Sequence, residues 1–222
     1  MFKTECWSKL ALLIFAAAAV VGLSSALLLP LPLETVSKKV ASETEFRNGD
    51  IVFQSSNSGQ SLAIQLATGS EFSHMGLLFD RHGDGEWWVL EAVQPVKWTP
   101  LAQFRLHGDG GKIAVRRLSN TLTQVQSQAL RAEAESHLSK QYDTAFDWSD
   151  AEMYCSELVW KAYKRAAGVE LGALKALKEY DLKHPAVKKQ MKRYAGNIPW
   201  DHPMIAPGAV FNAPVLQTVL RE

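Results

Sequence analysis

The chain has 222 residues, 47% of them apolar, so it can bury one substantial core and is sized for a single domain. Lysine and arginine number 24 against 23 aspartates and glutamates, a formal net charge of +1 at pH 7. That balance excludes an overall field that would recruit nucleic acid, which is not an expected partner.

In chain order, Lys3 and Lys9 precede the run "LALLIFAAAAVVGLSSALLLPLPL", long enough to cross a hydrocarbon core of about 30 Å. Residues 1–33 therefore read as a signal peptide or a membrane anchor. Ser24, Ser25 and Ala26 resemble a cleavage site, while the apolar stretch beyond them favours retention. Either fate makes the protein exported, periplasmic or in the cell envelope, with membrane association through this segment. Cys6 lies before the apolar run, which is not the arrangement of a lipoprotein signal. A polar linker, "ETVSKKVASETEF" at 34–46, leads to a domain expected at 47–222.

"NGDIVFQ" reads as a turn and a short strand, and "SGQSLAIQLATG" as a short helix stopped by Gly69. "SHMGLLFD" and "EWWVLEAV" are strand-like runs around "RHGDG", which predicts a hairpin. "GKIAVRRL" predicts a further strand. The period then changes: Leu122, Val125, Leu130, Ala134 and Leu138 recur on one helical face. A second helix carries Cys155, Leu158, Val159, Ala162 and Ala166 on one face, with Ser149 or Asp150 able to cap its start and Gly168 its end. "VELGALKALKEYDL" and "PAVKKQMKRYAG" predict two more helices before a Pro-rich tail containing "GAVF".

From Val40 onward Cys155 is the sole cysteine, so the domain cannot form an internal disulfide. A lone thiol in an exported protein is either packing or chemistry. In the first turns of a helix it meets the positive end of the dipole, which lowers a thiol pKa, and backbone N–H groups able to hold an oxyanion. A nucleophile needs a base. Of six histidines, His82, His107, His137, His184 and His202 read as surface residues in turns, at a helix end or beside prolines. His74 opens an apolar strand after a glycine-serine turn; it is a candidate base or a hydrogen-bonded strand residue. Glu91 interrupts the apolar strand expected to pair with that of His74, and either points to water or needs a buried partner.

The stretches "GDIVFQ", "SHMGLLF", "VLEAVQPVKWTPL", "YDTAFDWSDAEMYCSELVWKAY" and "APGAVFNAPVLQTV" together resemble the YiiX/YaeF family of permuted papain-like enzymes, relatives of NlpC-type cysteine peptidases and of lecithin:retinol acyltransferase-like proteins. The resemblance runs from about Asn48 to near the carboxyl terminus. It implies an α+β, circularly permuted papain-like (NlpC-type) fold, with a small antiparallel β-barrel or sheet packed against the cysteine helix. It also implies Cys155 as nucleophile, His74 as general base, Glu91 as the orienting third residue and Tyr142 as a site-lining residue able to help hold an oxyanion. Asp50 reads as a strand-entry turn residue.

The implied activity is cysteine hydrolysis of an amide or ester, or acyl transfer, through an acyl-enzyme on a cell-envelope peptide or an acylated small-molecule or lipid substrate. A non-catalytic lipid- or peptide-binding module on the same scaffold is the alternative. No cofactor is expected, and no H-E-x-x-H or Cys/His ligand pair points to a metal. Lys188, Lys189, Lys192 and Arg193 form a basic stretch, read as a solvated face or a contact to an anionic surface. Trp87, Trp88, Trp98, Trp148 and Trp160 flank the expected site in sequence, as core or as the walls of an acyl groove.

Overall fold

The computed structural model describes residues 45–222. The expected leader, and all but the last two residues of the expected linker, lie outside them. Phe46, at the end of that linker, is buried against Trp87 with ring centroids 5.8 Å apart.

The fold is α+β. Six antiparallel strands form one sheet in the order β4-β3-β2-β1-β5-β8: β1 (Asp50–Gln54), β2 (His74–Asp80), β3 (Trp87–Glu91), β4 (Lys97–Pro100), β5 (Ala114–Leu118) and β8 (Leu216–Arg221). β2 and β3 make the predicted hairpin. Its tip is held by the Asp80 carboxylate, which accepts from the backbone of Gly83, Asp84 and Gly85.

Period-two alternation gives the sheet two apolar faces. Ile51, Phe53, Met75, Leu77, Phe79 and Leu90 share one cluster with Leu130 and Ala134 of α3 (Gln124–Glu135) and with Leu158, Val159, Ala162 and Tyr163 of α4 (Cys155–Ala167). Val52, Leu78, Val89 and Val115 share the other with Leu101 and Phe104 of α2 (Leu101–Leu106). Each large side chain so buried contributes about 1.5–3 kcal/mol.

α3 begins with a capping box: Gln126 N donates to Thr123 Oγ1, and Thr123 N to Gln126 Oε1. α4 ends at Gly168, with φ of 70°. Its start differs from the predicted cap. Tyr154 is the N-cap residue, and Glu157 reaches back to accept from Tyr154 N at 3.4 Å. Met153, just before the N-cap, bridges in parallel to Tyr142. Asp150 turns instead to Lys161 and Arg165.

α1 (Ser61–Thr68) ends at Gly69 as predicted. The helix expected over "VELGALKALKEYDL" does not form. β6 (Lys175–Ala176) pairs there with β7 (Pro203–Met204), followed by a 3₁₀ turn at Leu177–Glu179, so tertiary pairing overrides a helical pattern. "PAVKKQM" does form α5 (Pro185–Met191), with Pro185 in its first turn and His184 Nδ1 accepting from Ala186 N. The tail forms α6 (Pro207–Phe211) and then β8, neither of which the pattern predicted.

Candidate active site

Cys155 is the first residue of the 13-residue α4, where the N–H groups of the first turn have no intrahelical acceptor. Ser156 Oγ donates to Ile205 O at 2.8 Å, and Tyr154 Oη accepts from Ile205 N at 3.2 Å. These two bonds tie the helix start to the segment before α6. The thiol is 3% exposed.

His74 opens β2, and its ring stacks on Phe104 at 5.6 Å. Nε2–H donates to Glu91 Oε2 at 2.5 Å, and the Cys155 side chain lies close enough to the same ring to favour its charged form. Because Nε2 is committed to Glu91, Nδ1 is the nitrogen left for the thiol. Thr99 on β4 donates to the other carboxylate oxygen, Glu91 Oε1, at 2.5 Å. The result is a relay Cys155–His74–Glu91–Thr99 across α4, β2, β3 and β4.

The register explains how Glu91 reaches His74. Leu77 pairs with Leu90, so Glu91 lies opposite Gly76 and leans diagonally toward His74. A Cβ at Gly76 would stand 2.5 Å from Val89 Cγ1, 2.9 Å from Leu90 O and 3.2 Å from Glu91 Cβ. Glycine keeps that approach open. Glu91 is 1% exposed and does not point to water.

Charges at the site support each other. Burial works against the His74 imidazolium, but the hydrogen bonds and charges of Cys155 and Glu91 outweigh it and raise the ring to about 10. Burial works against the Glu91 carboxylate too, and the hydrogen bond and charge of His74, with help from Thr99 and His107, hold it below the usual carboxylate range. Burial and the nearby Cys155 charge push Tyr142 upward, so it stays a phenol. Tyr142 Oη accepts from Gln60 Nε2 at 3.1 Å, which leaves its own O–H free to donate.

Two pockets meet at these residues. Cys155 lines an apolar pocket of about 90 Å³ with Ala63, Ile64, Leu177, Val187, Met191 and Ile205. His74 and Glu91 line an open cleft of about 990 Å³ that also holds the polar side chains of Gln54, Ser56, His107 and Gln141. Gln60, Ser73 and Tyr142 belong to both.

All four residues that the sequence singled out as site residues, Cys155, His74, Glu91 and Tyr142, therefore surround one centre. Other readings change. None of the five tryptophans lines the Cys155 pocket, whose aromatic walls are Phe146, Tyr142, Tyr154, Tyr180 and Tyr194. Trp148 packs on Trp160 at 5.4 Å, and Trp98 on Phe79 at 5.7 Å. His137 is buried, with Nε2 3.3 Å from Glu133 Oε1 and Nδ1 facing Lys140 Nζ, because the turn after α3 folds back on itself. Arg193 is half-buried: it donates to Thr144 O and lies over Phe146, whereas Lys188, Lys189 and Lys192 are exposed. Sequence reasoning missed Thr99, Gln60 and His107. Thr99 lies on a four-residue strand too short to show in the pattern, and His107 and Gln60 carried no signal either.

Residues 45–220 match the family model described as permuted papain-like amidase enzyme, YaeF/YiiX, C92 family. YiiX of Escherichia coli K12, described as uncharacterized, is 48% identical over 177 residues, which cover 79% of this chain and 87% of YiiX. The crystal structure of yiiX from Escherichia coli O157:H7, described as a metalloprotein, superposes with a TM-score of 0.76 at 48% identity, covering 79% of this chain and 97% of that one.

Proposed function

Since the chain belongs to the YaeF/YiiX family of permuted papain-like amidases, we propose that it is a thiol hydrolase that cleaves an acyl amide through an acyl-enzyme on Cys155. The observation that carries this reading is the relay Cys155–His74–Glu91, with the thiol facing an apolar pocket and the imidazole facing an open cleft that holds polar side chains. Those surroundings suit an acyl chain on the cysteine side and a polar amine on the histidine side. A non-catalytic binding module would need no buried imidazole oriented by a carboxylate and coupled to the thiol, and that arrangement favours the enzyme.

In the proposed reaction, the Cys155 thiolate adds to the carbonyl carbon and the oxygen becomes an oxyanion. The first N–H groups of α4 and the free O–H of Tyr142 hold that charge. His74, as imidazolium, gives its proton to the leaving nitrogen, the C–N bond breaks, and a thioester remains. His74 then takes a proton from water, whose oxygen attacks the thioester, and the C–S bond breaks to release the acid and restore the thiolate. Glu91, fixed by Thr99, keeps the ring in one orientation and stabilises its charged form. An amine in place of water would make the same site a transferase.

The Escherichia coli relative is described as a metalloprotein. Among the described residues no group of three or more His, Cys, Asp or Glu side chains is arranged to hold a metal ion, so no step passes through one. Lys3, Lys9 and the apolar run after them support an exported protein, periplasmic or in the cell envelope, with the segment serving as leader or anchor. No helix among the described residues is long and apolar enough to cross a membrane.

The test is a burst experiment with p-nitrophenyl hexanoate. One equivalent of p-nitrophenolate per protein, with the hexanoyl group recovered on Cys155 by peptide mass mapping and absent in Cys155→Ser, is the expected result. Release without acylation of Cys155, or at the wild-type rate in Cys155→Ser or His74→Ala, would sink the proposal.

A further inference from the structure

We propose that Gln54 determines specificity on the leaving-group side, by reading a carboxamide or peptide unit carried by the released amine. This rests on the thiol-hydrolase reading above and names the class of amine it releases.

Gln54 is the last residue of β1 and the register partner of His74 on β2. Directly opposed residues in an antiparallel pair project from the same face with Cβ atoms about 4.5–5.5 Å apart, so the Gln54 side chain runs alongside the catalytic ring. It is 1% exposed, and both Oε1 and Nε2 are buried with no hydrogen-bond partner. No other polar side chain of the cleft shares that condition among the described residues. A buried amide with neither end paired is destabilising, and leucine or methionine would fill the same volume without that cost.

The cleft it lines explains the choice. His74 protonates the leaving nitrogen, so the amine departs from the His74 side, where Gln54, His107 and Glu91 form the wall. A primary amide offers an acceptor and a donor together, and its complement is another amide: a ligand C=O accepts from Nε2 while a ligand N–H donates to Oε1. A bare amine or a carboxylate would leave one end unpaired.

Gly108 keeps the Gln54 amide in place. A Cβ there would stand 2.4 Å from Gln54 Oε1 and 3.2 Å from its Cδ. Gly108 has φ of −102°, open to any residue, so alanine would fit the backbone and displace the end of the Gln54 side chain.

The test uses the full-length protein acylated by p-nitrophenyl hexanoate, because an amine that intercepts the thioester occupies the site the leaving amine vacates. The amine nitrogen attacks the thioester carbonyl, gives its proton to His74, and the C–S bond breaks to regenerate the thiolate. Products with glycinamide, which carries a carboxamide, and with n-propylamine, which does not, are quantified against hexanoic acid. Comparing the glycinamide-to-propylamine ratio between variants cancels the intrinsic reactivities of the two amines.

The expected result is a ratio about tenfold higher in wild type than in Gln54→Leu, the scale of a recovered pair of neutral hydrogen bonds. Gly108→Ala should lose most of the same preference, and thermal melts of both variants would show that they are folded. A burst with equal ratios in wild type and Gln54→Leu, or with no glycinamide product at all, overturns the assignment of Gln54 and leaves the thiol hydrolase standing. Absence of a burst in wild type removes the reading beneath it as well.

Discussion

Replacing Glu91 by glutamine removes one charge from the relay and keeps a hydrogen-bond acceptor beside His74 Nε2. The fold raises the imidazole from 6.5 to about 10 against burial, a difference worth roughly 5 kcal/mol at about 1.4 kcal/mol per pH unit. Cys155 and Glu91 are the two groups that supply it. Neutralising Glu91 removes one of these two groups while burial still opposes the imidazolium, so the ring should titrate well below its wild-type value. The assay is the pH profile of Cys155 alkylation by iodoacetamide, whose alkaline inflection marks deprotonation of the imidazolium, together with an NMR titration of the His74 ring. Wild type should inflect near pH 10 and Glu91→Gln at distinctly lower pH.

The sign of the stability effect follows from the same shifts. A group whose pKa is raised by folding, as in His74, contributes stability fully below 6.5 and loses it as pH rises through about 10. Glu91, lowered by folding, contributes above the ordinary carboxylate range and loses that contribution as pH falls through its folded value. Wild type should therefore exceed Glu91→Gln in thermal stability around neutral pH, and the gap should close toward pH 10 and again in acid. An unchanged inflection in Glu91→Gln, or a wild-type ring titrating near 6.5, would refute the coupling.

Tyr142→Phe removes the phenol donor; it should lower kcat for ester or anilide substrates by about 10²-fold with little change in KM, and an equal loss in KM alone would assign Tyr142 to ground-state binding. Lys161 Nζ lies 2.7 Å from Glu157 Oε1 inside α4, where burial raises the Glu157 carboxyl to about 7. Lys161→Ala should cost about 3–5 kcal/mol, or roughly 10 °C in Tm, whereas Lys161→Met with Glu157→Leu should restore most of it; a near-neutral single variant would show that the pair is not needed. Gly76→Ala should destabilise by about 1–3 kcal/mol and lower the alkaline inflection of alkylation as Glu91 is pushed aside, and a wild-type profile in that variant would contradict the packing account.

What the sequence revealed follows the range of the forces involved. "SHMGLLFD" and "WWVLE" announce their strands by composition and their hairpin by the glycines between them, so the pairing of the strands that carry His74 and Glu91 was legible from local pattern, whereas the contact between the two side chains was not. Cys155 was legible as the start of an apolar helical face. The cap was not, because the helix start follows a bridge between Met153 and Tyr142, a non-local contact that no local pattern announces. "VELGALKALKEYDL" spaces its leucines like a helix, yet β7 arrives from 27 or more positions later to pair with part of it. The tryptophans misled for a related reason: proximity in sequence to the site says nothing of which wall a ring joins, and Tyr142, Tyr154, Tyr180 and Tyr194 took that place. Thr99 depended on β4, a strand too short to announce itself.

That short strand has a second consequence. β4 is an outer boundary of the sheet, and an uncovered boundary strand invites other chains to add to it. Here it is only four residues long, carries an exposed Lys97 and ends in Pro100, all features that discourage such growth, while its inward Thr99 secures Glu91. Protection of the sheet edge and anchoring of Glu91 thus share four residues. Substitutions that made this margin longer or more apolar would risk aggregation and a misaligned imidazole together, so selection for activity would also guard against self-association at this edge.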